Sequence, residues 1–197
     1  MVVRASRGTL RAEDWTRAAL EVLVAEGVAA VAVEPLAERL GATKGSFYHH
    51  FASRDDLITA ALASWEAADE AVFARLELIA DPRERLRSVM TAAFIDRDGG
   101  LRDASLMTSA THPLVRPVVD RVTDRRLKYM TDTFAATGFA RPRARRRARQ
   151  LYLGRIGLYT YLRTGLGKMT GVELRAYADE LLDVLVPRAT DRRQGRS

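Results

Sequence analysis

Along nearly the whole chain, apolar residues return every three or four positions and stop at glycine or proline, a period that helices satisfy and strands do not. Residues 13–25 show it first, with Trp15, Ala18, Ala19, Val22 and Leu23 on one side and Gly27 just beyond the end. A short second stretch carries Leu36, Ala37 and Leu40, opens with Pro35 in its first turn and stops at Gly41. Residues 44–51 follow, with Thr43 in the N-cap position. Ser53 opens a longer run in which Ser53 and Asp56 stand at capping-box spacing. Its stripe of Leu57, Ala60, Ala61 and Trp65 can continue to Ile79, before Asp81-Pro82 interrupts it. Five more helices are predicted at about residues 82–97, 101–111, 113–137, 143–164 and 172–185. Asp98-Gly99-Gly100, His112-Pro113, Gly138 to Pro142 and Gly165 to Gly171 supply the breaks. The expectation is an all-α chain of about nine helices, and its wealth of Ala, Leu, Arg and Glu agrees with that.

Composition removes several classes of function. The chain has 197 residues and no cysteine, which excludes disulfides, thiolate metal sites and a cysteine nucleophile. It has three histidines; His49 and His50 are adjacent and so point about 100° apart on a helix, unlike ligands spaced by four. No G-x-S-x-G, phosphate-binding glycine loop or H-E-x-x-H occurs, so neither catalysis, a metal nor a cofactor is expected. No apolar run approaches the roughly 20 residues of a membrane span. The opening MVVRASRGT has charge without an apolar stretch after it, so no secretory signal is expected and a cytoplasmic protein follows.

The net charge of +7 is unevenly placed. Residues 1–65 hold seven basic against eight acidic side chains, while residues 102–149 hold twelve against four. Net charge alone therefore does not identify a nucleic-acid-binding segment.

The most informative stretch is VEPLAERLGATKGSFYHHFASRDDL, residues 33–57. Two short helices joined by a tight glycine turn form either a plain helical hairpin or a helix-turn-helix. In the latter, the leading end of the second helix enters the major groove and must be small and polar. Thr43, Lys44, Gly45 and Ser46 meet that requirement. Phe47 and Phe51, four apart, would anchor the helix to the core, leaving Tyr48 and His49 on another side within reach of phosphates. Arg54, opening the next helix, would meet the DNA backbone on the flank.

Residues 10–65 resemble the DNA-binding domain of the TetR (tetracycline-repressor-like) family. The likeness rests on Trp15 and Ala19, Gly27, Leu36-Ala37, Leu40-Gly41, the run from Thr43 to Phe51, and Arg54-Asp55-Asp56-Leu57. It implies that Thr43, Lys44, Gly45 and Tyr48 lie in or over the major groove, and that His49 and Arg54 approach phosphates. The helix cap departs from the family habit: Thr9-Leu10-Arg11-Ala12 leaves Thr9 to cap the first helix, or leaves it uncapped. Arg4 and Arg7 form a short basic arm. The expected domains are residues 1–53 (arm and three-helix DNA-binding domain), 54–187 (a helical effector-binding and dimerisation domain, connected through the helix at 54–80) and 188–197 (a polar tail).

The resemblance also implies a helical body that dimerises and often encloses an effector pocket. Leu151, Gly154, Leu158, Leu162 and Gly165 share one helical face, as do Leu174, Tyr177, Ala178, Leu181, Leu182 and Leu185. These either form a four-helix interface between two copies or close the core of one. Met90, Phe94, Met107, Tyr129, Met130 and Phe134 lie on helices that the family uses to line its pocket, although any helical core contains such residues. Six arginines crowd residues 141–149, either as a second nucleic-acid contact or as the solvated start of a helix. The partners expected are double-stranded operator DNA, a second copy of the chain and a small apolar effector. The alternative is a DNA-binding regulator or architectural protein that needs no effector.

Overall fold

The computed structural model describes residues 10–186. Among them are nine α-helices and one 3₁₀ turn, with no strand. The helices are α1 (Ala12–Glu26), α2 (Val33–Arg39), α3 (Lys44–His50), α4 (Arg54–Glu77), α5 (Pro82–Ile95), α6 (Arg97–Thr108), α7 (Arg116–Ala136), α8 (Arg141–Arg163) and α9 (Gly171–Leu185), with the 3₁₀ turn at Val28–Ala30. The all-α expectation holds. No helix among the described residues is long and apolar enough to cross a membrane.

Two compact units divide the chain. The first holds the residues up to Asp69 together with Ser105–Asp120, so it runs well past the helix-turn-helix end read at residue 53. Its interior is aromatic and aliphatic: Trp15, Leu23, Val31, Leu36, Phe47, Leu57, Ile58 and Leu62 are all essentially inaccessible to solvent. Polar ends are satisfied locally. Asp14 accepts from the Arg11 N–H at 3.0 Å, supplying the partner that the start of α1 needs. Ser53 Oγ accepts from the Asp56 N–H at 3.1 Å at the head of α4. Ser105 reaches across to the Val24 carbonyl at 2.5 Å. Thr9, Arg4, Arg7 and the tail from 187 lie outside the described residues.

The second unit holds Glu70–Ala104 and the residues from Arg121 onward. α5 packs along α9, and Leu86, Met90, Phe94, Met130, Phe134, Leu151, Leu182 and Leu185 form its main core. A smaller cluster of Ala104, Tyr159, Leu162 and Leu174 adjoins α6, α8 and α9. Charge is buried here as well. Asp103 of α6, with its side chain 3% exposed, accepts from Arg126 of α7 at 2.6 Å and from Arg155 of α8 at 2.5 Å. Arg155 also donates to the Ala93 carbonyl at 2.7 Å. Burial alone would raise the Asp103 carboxyl, but the two guanidiniums hold it below its ordinary value.

One break fell in the wrong place. Gly99 and Gly100 lie inside α6 rather than ahead of it. The start is set by Asp96, whose Oδ1 accepts from the Gly99 N–H at 3.0 Å and whose carbonyl accepts from the Gly100 N–H at 2.9 Å. Gly100 is small for a tertiary reason: a methyl there would overlap the Tyr159 ring. That ring is fully buried, its hydroxyl bonded to the Phe94 carbonyl at 2.8 Å.

Candidate nucleic-acid interface

α2 and α3 meet at Gly41, whose φ of 63° is the left-handed conformation that a glycine adopts without a Cβ clash. The turn is closed by the Ala42 N–H donating to the Ala37 carbonyl at 2.8 Å. Thr43 then starts α3: its backbone is extended and its Oγ1 accepts from the Ser46 N–H at 3.2 Å. A cap of this kind contributes about 1 kcal/mol. Phe47 is fully buried, edge-on to Trp15 at 5.4 Å and stacked with Phe51 at 5.7 Å. With these rings turned inward, the 3.6-residue period sends Lys44, Gly45, Tyr48 and His49 outward. All four are exposed, as is Thr43; Ser46 is half-buried.

Two charged groups are less free than the sequence implied. Lys44 is ion-paired to Glu34 of α2. The hydrogen bond from Lys44 holds the Glu34 carboxyl below its ordinary value, and the same bond holds the Lys44 ammonium above its own. Arg54 departs further from expectation. Its Nε donates to the Val31 carbonyl and its Nη2 to the Val28 carbonyl, each at 2.5 Å, with Asp55 at 3.2 Å. It braces the start of α4 against the 3₁₀ turn, adding a second donor to the Val28 carbonyl, which already accepts from the Val31 N–H at 3.2 Å. His50, which the sequence did not single out, ties back to the Leu10 carbonyl at 3.0 Å, while His49 stays outward. Glu34 was the residue missed; its only signal was an acid on the helix facing Lys44 across the turn.

The arrangement is a buried aromatic wedge that presents a short, capped, polar helix. Residues 16–61 match the model for bacterial regulatory proteins of the tetR family. That segment is of the tetR family. The chain is 32% identical over 120 residues to the HTH-type transcriptional regulator TcmR of Streptomyces glaucescens, an alignment covering 60% of this chain and 51% of that protein. The chain spans about half the length of the curated relatives it matches. Among solved structures, a transcriptional regulator from Saccharomonospora viridis in complex with choline aligns with a TM-score of 0.75 at 22% identity, covering 87% of this chain and 95% of that one. AibR, in complex with isovaleryl coenzyme A and operator DNA, aligns with a TM-score of 0.70 at 20% identity, covering 90% and 99%. These structures share the fold.

The second unit carries a cleft of about 430 Å³ between α4, α5 and α7, lined in part by Phe73, Glu77, Arg85, Arg125 and Tyr129. Of the six residues expected to line a pocket, Tyr129 alone does so. Met90, Phe94, Met130 and Phe134 point into the main core, and Met107 belongs to the first unit. The expected interface residues divide in the same way. Leu151, Leu162, Leu174, Ala178, Leu182 and Leu185 are buried within the chain itself, and Leu158 and Leu181 pack half-buried against them. Gly154 has open space where a side chain would stand, and Tyr177 lies partly exposed, 5.6 Å from Phe94. The bare apolar residues are others: Leu153 and Tyr161 on α8, and Val172 and Val184 on α9. The arginine run is partly answered within the unit. Arg143 and Arg147 lie over the Phe139 ring at 5.2 and 4.8 Å, Arg147 donates to the Val184 carbonyl at 3.0 Å, and Arg141 pairs with Asp132 at 2.7 Å.

Proposed function

We propose that this chain is a homodimeric transcriptional repressor that holds a palindromic operator and releases it when a small molecule binds its second unit. The observation that carries the reading is α3: a capped helix fixed through Phe47, with Thr43, Lys44, Gly45, Tyr48 and His49 turned to solvent. Two such helices enter successive major grooves. Thr43 to Ser46 approach base edges, and Tyr48 and His49 set register on phosphates. Arg54 supports this indirectly by fixing the start of α4, with its unbonded guanidinium hydrogens available to a phosphate.

Dimerisation through α8 and α9 is supported by the apolar residues that the monomer leaves bare, Leu153, Tyr161, Val172 and Val184, with Gly154 and Gly157 allowing close approach. The interface of this proposal is thus the outer face of the two helices, not the six leucine and alanine positions inside. An effector is supported by the cleft and by the choline and coenzyme A ligands of the neighbouring structures. It acts by changing the separation of the two α3 helices, a coupling between distinct sites. One observation favours a regulator without an effector: side chains fill the interior where the pocket was expected.

Fluorescence anisotropy with the gene's own upstream DNA, at about 150 mM salt, tests the reading. Specific DNA should bind at least about 10³-fold more tightly than scrambled DNA. A folded dimer that binds no DNA would end it.

A further inference from the structure

The cleft in the second unit says more than that an effector exists. Most of its charges are paired within the wall. Arg125 meets Glu70 at 2.9 Å, and Asp132 takes Lys128 at 3.0 Å and Arg141 at 2.7 Å. Two lining groups, Glu77 and Arg85, stand outside these ion pairs among the described residues. Glu77 makes no ion pair among the described residues. Arg85 directs Nε and Nη2 onto the neutral Ile79 carbonyl, at 2.9 and 2.7 Å.

Both act on Tyr129. Burial raises its phenol above the usual value, Arg85 pulls it down and Glu77 pushes it up, which puts one positive and one negative charge in the neighbourhood of a single hydroxyl. That hydroxyl is buried, with the Thr133 side chain beside it lowering it in turn. Thr133, one turn on, also gives its hydroxyl to the Tyr129 carbonyl at 2.9 Å. The Phe73 ring lies 4.5 Å from the Tyr129 ring, tilted by 49°. The cleft therefore offers an exposed carboxylate and a guanidinium, both outside the wall's ion pairs, beside a phenol and two aromatic rings.

We infer that this cleft binds a small zwitterion, its ammonium directed to Glu77 over the Phe73 and Tyr129 rings and its carboxylate to Arg85 and the Tyr129 hydroxyl. Aromatic faces attract an ammonium, and Arg85 Nη1 keeps hydrogens for a carboxylate. A neutral guest of the same size would strip water from both charges and replace neither contact. A simple amine or a simple acid would answer one charge and desolvate the other. The volume falls within the range of about 300–1,000 Å³ typical of small-molecule sites. The regulatory meaning of this site rests on the effector proposal above; the binding itself does not.

The test uses four probes of one size on the full chain: L-norleucine and 6-aminohexanoate, which are isomeric zwitterions with different charge separations, against hexanoate and hexylamine. By calorimetry, at least one zwitterion should bind at least about tenfold more tightly than either single-charge probe. Glu77→Gln and Arg85→Gln should each weaken it about tenfold or more, with the thermal midpoint of unliganded Glu77→Gln unchanged. Hexanoate or hexylamine binding as tightly as both zwitterions would overturn the inference, as would no binding of either zwitterion at about 10 mM. Operator anisotropy separates the two readings. Zwitterion binding that leaves the operator complex intact keeps the cleft assignment and removes its role as the effector site. Release of operator that persists undiminished in Glu77→Gln and Arg85→Gln shows an effector acting elsewhere, and overturns the cleft.

Discussion

The ion pairs around the helix-turn-helix stay wet, and the second unit buries one of its own. Around the helix-turn-helix, the ion pairs Lys44–Glu34, Arg39–Glu21 and Arg17–Asp14 all lie on the surface, while the interior is Trp15, Phe47 and aliphatic side chains. In the second unit Asp103 sits inside, between Arg126 and Arg155. Exposed pairs are weak because water and salt compete for each partner, which suits the operator-binding surface proposed above. A buried pair has no such competitor, so removing one member leaves a charge with nowhere to go. One unit is built to trade contacts and the other to hold helices in register.

The largest test of that contrast is Asp103→Ala. It should destabilise the second unit by about 3–5 kcal/mol, read by urea unfolding, because two buried guanidiniums lose their counter-charge. A loss below about 1 kcal/mol would make the pair as soft as a surface one. The same group gives a pH signature. A carboxyl held below its ordinary value contributes stability above about pH 4 and loses it as pH falls through the folded-state value. Acid should therefore weaken wild type below that point more steeply than the Asp103→Ala variant.

Gly100→Ala comes next. Its new methyl meets the locked Tyr159 ring, and overpacking of this kind costs about 1–3 kcal/mol. Full thermal stability in the variant would mean that the ring can swing aside. On the other side of the comparison, Lys44→Ala should leave the unfolding midpoint in place and weaken operator binding roughly ten- to a hundredfold, if the lysine reads a base. Equal weakening on scrambled DNA would reduce it to a phosphate contact. The smallest effect is expected from Glu34→Gln, which frees Lys44 from its internal partner. Operator affinity should rise about two- to fivefold at low salt and converge with wild type at high salt.

What the sequence disclosed follows from how far apart the interacting residues are. The helices were readable because period and breakers are local, and α3 because Gly41, Thr43, Phe47 and Phe51 act within eleven consecutive positions. Gly99-Gly100 misled for the opposite reason: the glycines answer a ring almost sixty positions later, not a local turn. Asp103 stands 23 and 52 positions from its arginines, and no spacing rule links them. The apolar stripes of α8 and α9 were visible as stripes. Which side of each helix met the chain's own core was not, since both sides carry leucine or valine. The charged cleft was hidden for a related reason: its residues come from three helices, and none is unusual alone.

The Asp103 cluster has a consequence for how this chain can change over generations. Losing Asp103 leaves two guanidiniums without its charge, at a cost of about 3–5 kcal/mol against the margin of about 5–15 kcal/mol by which a domain stays folded, whereas losing either arginine still leaves Asp103 a partner. Replacing all three together with apolar side chains of similar volume is often neutral or even stabilising. Paths between the two sequences that remove Asp103 first are thus the costly ones. Variation should accumulate freely around this trio and rarely pass through it.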